Sequence, residues 1–197
     1  MGGDHVDDEV RRAVFLDRDG VLNALVPDPE SGKPESPLHA IDTELLPGAS
    51  DSVDALRRAG WLVVVASNQP AAAKGKATLA QLQAVHHRVR DALPPLDGWR
   101  YCLHHPEGAD QRLAGPCLCR KPAPGLLIEA AFELELDLAE SWFIGDSDSD
   151  VAAGIAAGCR TILVEHPESA HRRSGNAEAD WRAADLAGAV RSILALP

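Results

Sequence analysis

The strongest constraint on the fold is a recurrence of short, wholly apolar runs that break abruptly into polar residues. Ala13–Leu16 breaks into Asp17-Arg18-Asp19-Gly20, Trp61–Ala66 into Ser67-Asn68-Gln69-Pro70, and Trp142–Gly145 into Asp146-Ser147-Asp148. Such runs have no alternating polar face, which suits strands covered on both sides in a parallel sheet. Trp99–Leu103 and Thr161–Glu165 are two further expected strands. Helix-length segments lie between them: Pro47-Gly48 to about Arg58, Thr78 to about Leu93, Pro124 to about Leu136, Ser147 to Ala157, and Ala183 to Leu194. The alternation predicts an α/β fold, a doubly wound parallel sheet with helices on both faces. Ligands in such folds sit beyond the carboxyl ends of the strands. Asp17, Asp19, Ser67, Asn68, Asp146 and Asp150 are therefore expected to share one edge.

The chain of 197 residues suits one domain, expected over 13–197, after a short flexible arm at 1–12 whose acidic character does not fit a signal peptide. No apolar run approaches the roughly 18 residues of a membrane helix, so a cytoplasmic protein without a membrane partner is expected. The net charge of -11, without a Lys/Arg cluster interleaved with aromatics, argues against nucleic acid. It leaves room for a small anionic substrate in a locally positive pocket. Residues 27–37, rich in Pro, Glu, Ser and Gly, read as a surface excursion without regular structure. No second block on the order of 50 residues remains for a cap domain. The pocket should be open, with selectivity set by loops 24–43, 69–76 and 104–118. A monomer or weak oligomer is expected.

Asp17-Arg18-Asp19-Gly20 puts two carboxylates on one turn, and close carboxylates need a cation or a shared proton to hold them together. Magnesium prefers hard oxygen ligands, and Asp146 adds to the set. Lys121 offers a positive charge to a phosphoryl oxygen, as an oxyanion donor does in acyl transfer. Each piece alone has a plainer reading. Asp-x-Asp-Gly also occurs in turns and calcium loops, and Asp146 and Asp150 suit the N-cap and first turn of a helix. Order, strand context and spacing together favour the catalytic reading.

Cys102-Leu103-His104 and Cys117-Leu118-Cys119 form a C-x-H-x₁₂-C-x-C array. Three thiolates and an imidazole match a closed, four-coordinate structural zinc site, which would pin an irregular loop beside Arg120 and Lys121. His105 competes with His104 as the ligand, though the spacing favours His104. Cys159, in an apolar stretch, reads as a small core residue.

The segments Phe15-Leu16-Asp17-Arg18-Asp19-Gly20, Val65-Ala66-Ser67-Asn68-Gln69, Cys119-Arg120-Lys121-Pro122 and Ile144-Gly145-Asp146-Ser147-Asp148-Ser149-Asp150 resemble the four ordered motifs of the haloacid dehalogenase superfamily, which has a Rossmann-like fold. The resemblance implies that Asp17 is a nucleophile forming an aspartyl-phosphate, and that Asp19 is the general acid and base. It implies that Ser67 and Lys121 hold the phosphoryl oxygens. Asp17, Asp146 and the backbone carbonyl of Asp19 would bind catalytic Mg²⁺, with Asp150 orienting Lys121 or a metal-bound water.

The zinc array, with His-His-Pro-Glu-Gly at 104–108, is similar to that of the heptose 1,7-bisphosphate phosphatases. This implies removal of the 7-phosphate of a heptose bisphosphate, with Asn68, Gln69 and Arg120 lining the sugar pocket. Histidinol-phosphate phosphatases share the zinc loop and are the alternative within the same chemistry. A non-catalytic sugar-phosphate-binding module is disfavoured by the complete acid set. Three departures surround the substrate rather than the phosphorus. Pro70 replaces a serine, Lys74 an arginine, and Ser147 the lysine that many relatives carry after the metal-binding aspartate.

Overall fold

A computed structural model describes residues 10–196. Its main sheet contains six parallel strands: β1 (Ala13–Leu16), β4 (Leu62–Asn68), β5 (Gly98–Cys102), β6 (Trp142–Gly145), β7 (Arg160–Val164) and β8 (Trp181–Ala183). Their spatial order is β5-β4-β1-β6-β7-β8. The chain steps outward from β1 to β5, then returns to the other side of β1 to continue with β6. The direction of winding reverses beside β1, and such a reversal leaves a crevice at the carboxyl ends of the strands. Leu16 is in register with Val65 on one side and Ile144 on the other, which puts the next residue, Asp17, at that crevice.

Alternation along β1 divides the core. Val14 and Leu16 pack with Val53 and Leu56 of α1 (Ala49–Arg58), and with Leu186, Val190 and Ile193 of α5 (Leu186–Leu194). Ala13 and Phe15 face the opposite layer, built by Leu126, Leu127 and Ala130 of α3 (Gly125–Leu134) and Ala153 of α4 (Asp148–Ala157). The remaining helix, α2 (Leu79–Asp91), begins with a capping box between Thr78 and Gln81, which satisfies two otherwise unpaired donors of its first turn. Cys159 is a buried member of the α3/α4 layer.

Three features differ from the sequence reading. The excursion 27–37 has regular structure: β2 (Val26–Pro27) pairs antiparallel with β3 (Pro34–Glu35). Asp28 organises the turn, its Oδ1 accepting hydrogen bonds from the backbone N–H of Glu30 and Ser31 and from the Ser31 hydroxyl. A side chain that closes its own turn in this way supplies order that composition does not reveal. A 3-10 helix follows at Ala40–Asp42. The sixth strand, β8, is short and largely exposed, so it lacks the apolar signature of the other strands. The last helix begins at Leu186 rather than Ala183, because the Asp185 carboxylate caps it by accepting from Gly188 N at 2.6 Å. Of the expected arm at 1–12, residues 1–9 lie outside the described residues. Arg11 and Arg12 are already tied down, their carbonyls accepting from Asp137 N and Leu62 N.

Candidate active site

β1 ends in a turn that packs directly on the end of β6. Gly20, at φ +91°, makes this approach possible, because a Cβ there would stand 2.1 Å from Asp146 Oδ2. The turn brings Asp17 to Asp146 and Asp150, whose carboxylates lie within 4.8 Å of one another. All three are buried. The nearest balancing charge is Lys121, 3% exposed. Its Nζ is 2.9 Å from Asp17 Oδ1, 2.6 Å from Asp150 Oδ1, and donates to the Ala66 carbonyl at 2.9 Å.

Charge is concentrated here at low dielectric, and the ionisation of each group reflects that. Burial pushes the Asp17 carboxyl above its ordinary range; Lys121 opposes this, while Asp150 and Asp19 add to it. Burial likewise pushes Asp146 up to about 8, against the pull of Arg172 and with the help of Asp17 and Asp150. Burial disfavours the Lys121 ammonium, but Asp150 and Asp17 more than compensate and raise its pKa. Fully ionised, the three carboxylates would carry more negative charge than Lys121 neutralises, so without a further cation burial favours their protonated forms. Asp146 Oδ1 is buried and accepts no hydrogen bond. A hard cation fits the donor chemistry of this edge.

Asp150 does two jobs from the first turn of α4. Its Oδ2 accepts from the backbone N–H groups of Asp146 and Ser147 and from the Ser147 hydroxyl, while its Oδ1 faces Lys121. Ser67, at the end of β4, is buried and accepts from Gln69 Nε2 at 3.1 Å.

Asp19 points elsewhere. Its carboxylate lies outside the Asp17–Asp146–Asp150 group and is enclosed by donors: Arg18 through Nε and Nη2, Asn23 Nδ2 at 2.9 Å, and Gln69 Nε2 at 2.6 Å. Burial would raise its pKa, but the Arg18 charge and the Gln69 and Asn23 hydrogen bonds win and lower it. Its backbone carbonyl accepts from Arg172 Nη1 at 3.2 Å, and the same nitrogen lies 3.4 Å from Asp146 Oδ2.

Of the two strand-end residues expected to line the sugar pocket, Gln69 borders the cleft beside residues 26–44 while also joining the inner network, and Asn68 is committed to the Lys121 backbone. Asn68 spends both ends of its amide on the Lys121 backbone, and Gln69 bridges Arg18, Asp19 and Ser67. Arg120 stands beside the cysteine loop, donating to the His104 carbonyl at 3.2 Å.

Cys102, His104, Cys117 and Cys119 converge. Sγ–Sγ distances are 3.6 Å (Cys102–Cys117) and 3.5 Å (Cys119–Cys117), and His104 Nδ1 is 3.4 Å from Cys119 Sγ and 3.8 Å from Cys102 Sγ. A tetrahedron with Zn–S bonds of about 2.3 Å has edges of about 3.8 Å, so this set fits a metal without rearrangement. His105 turns away, its Nδ1 accepting from Glu107 N.

Sequence reasoning missed Arg18, Asn23 and Arg172. Arg18 is 1% exposed, and its position between two acids was the available clue. Arg172, distant in sequence, belongs to no motif.

Residues 118–190 match the HAD-hydrolase-like family profile. The chain is 37% identical over 188 residues to the D-glycero-β-D-manno-heptose-1,7-bisphosphate 7-phosphatase of Salmonella typhi, covering 91% of this chain and 95% of that protein. The corresponding protein of Thermosynechococcus vestitus is also 37% identical, covering 93% and 95%.

The chain is a phosphatase of the haloacid dehalogenase superfamily.

This phosphatase superposes on the D,D-heptose 1,7-bisphosphate phosphatase of B. bronchiseptica, complexed with magnesium and phosphate, with a TM-score of 0.76 at 31% identity, covering 93% of this chain and 98% of that one. The heptose bisphosphate phosphatase from Burkholderia thailandensis gives 0.65 at 25% identity, covering 94% and 100%. Among the described residues of the phosphatase, no helix is long and apolar enough to cross a membrane.

Proposed function

We propose that this phosphatase removes the 7-phosphate of D-glycero-D-manno-heptose 1,7-bisphosphate in the cytoplasm, through an aspartyl-phosphate on Asp17. The observation that carries this reading is the Asp17–Lys121–Asp150 cluster at the winding reversal, in a chain aligned with heptose bisphosphate 7-phosphatases over nine-tenths of its length. An Asp17 carboxylate oxygen attacks phosphorus, and the bond from phosphorus to the sugar oxygen breaks. Asp19 gives that oxygen its proton, then takes one from the water that cleaves the aspartyl-phosphate, releasing inorganic phosphate. Arg18, Asn23 and Gln69 hold Asp19 as the anion suited to the water step. For the first step the incoming sugar oxygen must replace one of them, and Asp19 must take up a proton from solvent, which the water step later restores.

Lys121 and Ser67 receive the phosphoryl oxygens, and Lys121 is presented by Asn68 and Asp150. Asp17, Asp146 and the Asp19 carbonyl would hold magnesium, which supplies a Lewis acid to neutralise the phosphoryl charge. Cys102, His104, Cys117 and Cys119 would hold structural zinc and keep Arg120 and Lys121 in register.

A cleft of about 740 Å³ opens between the flap (residues 24–44) and residues 69–76 and suits a sugar. Lys74 lines it, while Lys76 is neutralised by Asp28 and Glu30. The His105 imidazole is held below its ordinary pKa, first by desolvation and then by the charges of Lys74 and Arg120. Lys74 and Arg120 are assigned to the second phosphate.

The test is phosphate release from both anomers of the heptose bisphosphate, the heptose monophosphates and histidinol phosphate. The bisphosphate should be preferred by kcat/KM, and preference for histidinol phosphate overturns the assignment.

A further inference from the structure

Arg172 ends the 3-10 helix Pro167–Arg172 that follows β7, and its guanidinium reaches back over the sheet edge. Nη1 is 3.2 Å from the Asp19 carbonyl oxygen and 3.4 Å from Asp146 Oδ2, and Nη2 is 3.5 Å from Glu35 Oε2 on flap strand β3. The side chain is 18% exposed. Its neighbour Arg173 fixes the helix to the motif strands, donating to the carbonyls of Asp146, Val164 and His166 and to Ser169 Oγ. The placement of Arg172 therefore follows from the fold.

Arg172 touches two of the three oxygen-bearing groups assigned to magnesium, the Asp19 carbonyl and Asp146. Magnesium binds oxygen at about 2.1 Å. A guanidinium nitrogen within 3.2 and 3.4 Å of the same pair of groups cannot stay beside it, because two cations repel strongly in a dry cleft.

We propose that Arg172 is a positioning residue that competes with magnesium for the Asp19 carbonyl and Asp146, so that metal binding releases Glu35 and frees the flap. The proposal rests on the magnesium reading above. In the metal-free protein the guanidinium sits between Asp146 and Glu35 and holds the flap down on this side. On the other side the flap is clasped by Lys76, 3.1 Å from Asp28 and 2.9 Å from Glu30. When metal takes the shared oxygens, Arg172 withdraws and Glu35 loses its anchored partner. The flap then swings about the Lys76 clasp and the cleft beneath it opens. The metal enters first, and the sugar phosphate follows.

The test titrates MgCl₂ alone into the full chain by calorimetry, for the wild type and Arg172→Met, and follows proteolysis of the 29–33 turn with and without the metal. Arg172→Met should bind magnesium at least about fivefold more tightly, the lower end of ordinary coupling. In the wild type, magnesium should speed cleavage of the turn by about threefold or more. Glu35→Gln, a half-exposed position that leaves folding intact, should be cleaved fast without metal and gain nothing from it. Equal or weaker magnesium affinity in Arg172→Met overturns the competition, and metal-insensitive cleavage of the wild type overturns the link to the flap. If neither protein binds magnesium, the metal-site reading itself falls, an outcome distinct from equal binding by both.

Discussion

Asn68 clasps the backbone of Lys121 from both sides, its Oδ1 accepting from Lys121 N at 3.0 Å and its Nδ2 donating to Lys121 O at 3.1 Å. One strand end thereby fixes the height at which the lysine from a different loop enters the cluster. Asn68→Ala should lower kcat about tenfold or more while KM moves less than about twofold, because the loss is in placing a charge that matters at the transition state. A rise in KM with kcat unchanged would instead place Asn68 against the sugar.

Asp17→Asn should abolish phosphate release without unfolding the protein. Burial already disfavours the Asp17 carboxylate, and Lys121 keeps Asp150 as a partner. The metal-free variant should therefore melt at the same temperature as the wild type or higher. Sustained turnover would remove Asp17 from the nucleophile role.

Arg18→Met removes the cation that most lowers the Asp19 pKa. The basic limb of the kcat/KM profile should move to higher pH, because Asp19 then keeps the proton it gives the leaving oxygen down to a lower proton concentration. An unmoved limb with a uniformly lower rate would mean that Arg18 acts only through packing.

Asp146 couples pH to metal. Its folded pKa of about 8 lies above the ordinary 3.8, so between these values the folded, metal-free protein holds a proton that the unfolded chain has released. This contribution to stability is present at low pH and is lost as pH rises through about 8. Magnesium must displace the same proton, so its apparent affinity should climb by up to about tenfold per pH unit below 8. Calorimetry in buffers of different ionisation enthalpy should detect a proton released near pH 7, and its absence counts against Asp146 as a ligand.

Elemental analysis should find about one zinc per chain. Stripping it, or changing Cys117→Ser, should lower the melting temperature by roughly 10 °C or more and depress activity through Arg120 and Lys121. A metal-free protein of equal thermal stability would contradict the structural-zinc reading.

The parallel sheet and most of its strand and helix positions were legible along the chain, because buried strands must be apolar on both faces and runs such as Phe15-Leu16 and Val63-Val64-Val65 have no other use. The cysteine array was legible for a similar reason: four ligands in two short spans leave few alternatives. The β8 edge strand and the β2/β3 hairpin were not legible, since one is exposed and the other is held by a single aspartate closing its own turn.

What the sequence by itself determined is which acids stand at strand ends. Local apolar patterning decides where a strand stops, and the next residue inherits the crevice. Only the tertiary structure decided where those side chains point. Asp19 turns into a cage of Arg18, Asn23 and Gln69, Asn68 clasps the Lys121 backbone, and Arg172 arrives from 153 residues away to meet the Asp19 carbonyl. These outcomes depend on buried polar groups finding partners across the fold, and no local pattern along the chain encodes which partner is nearest.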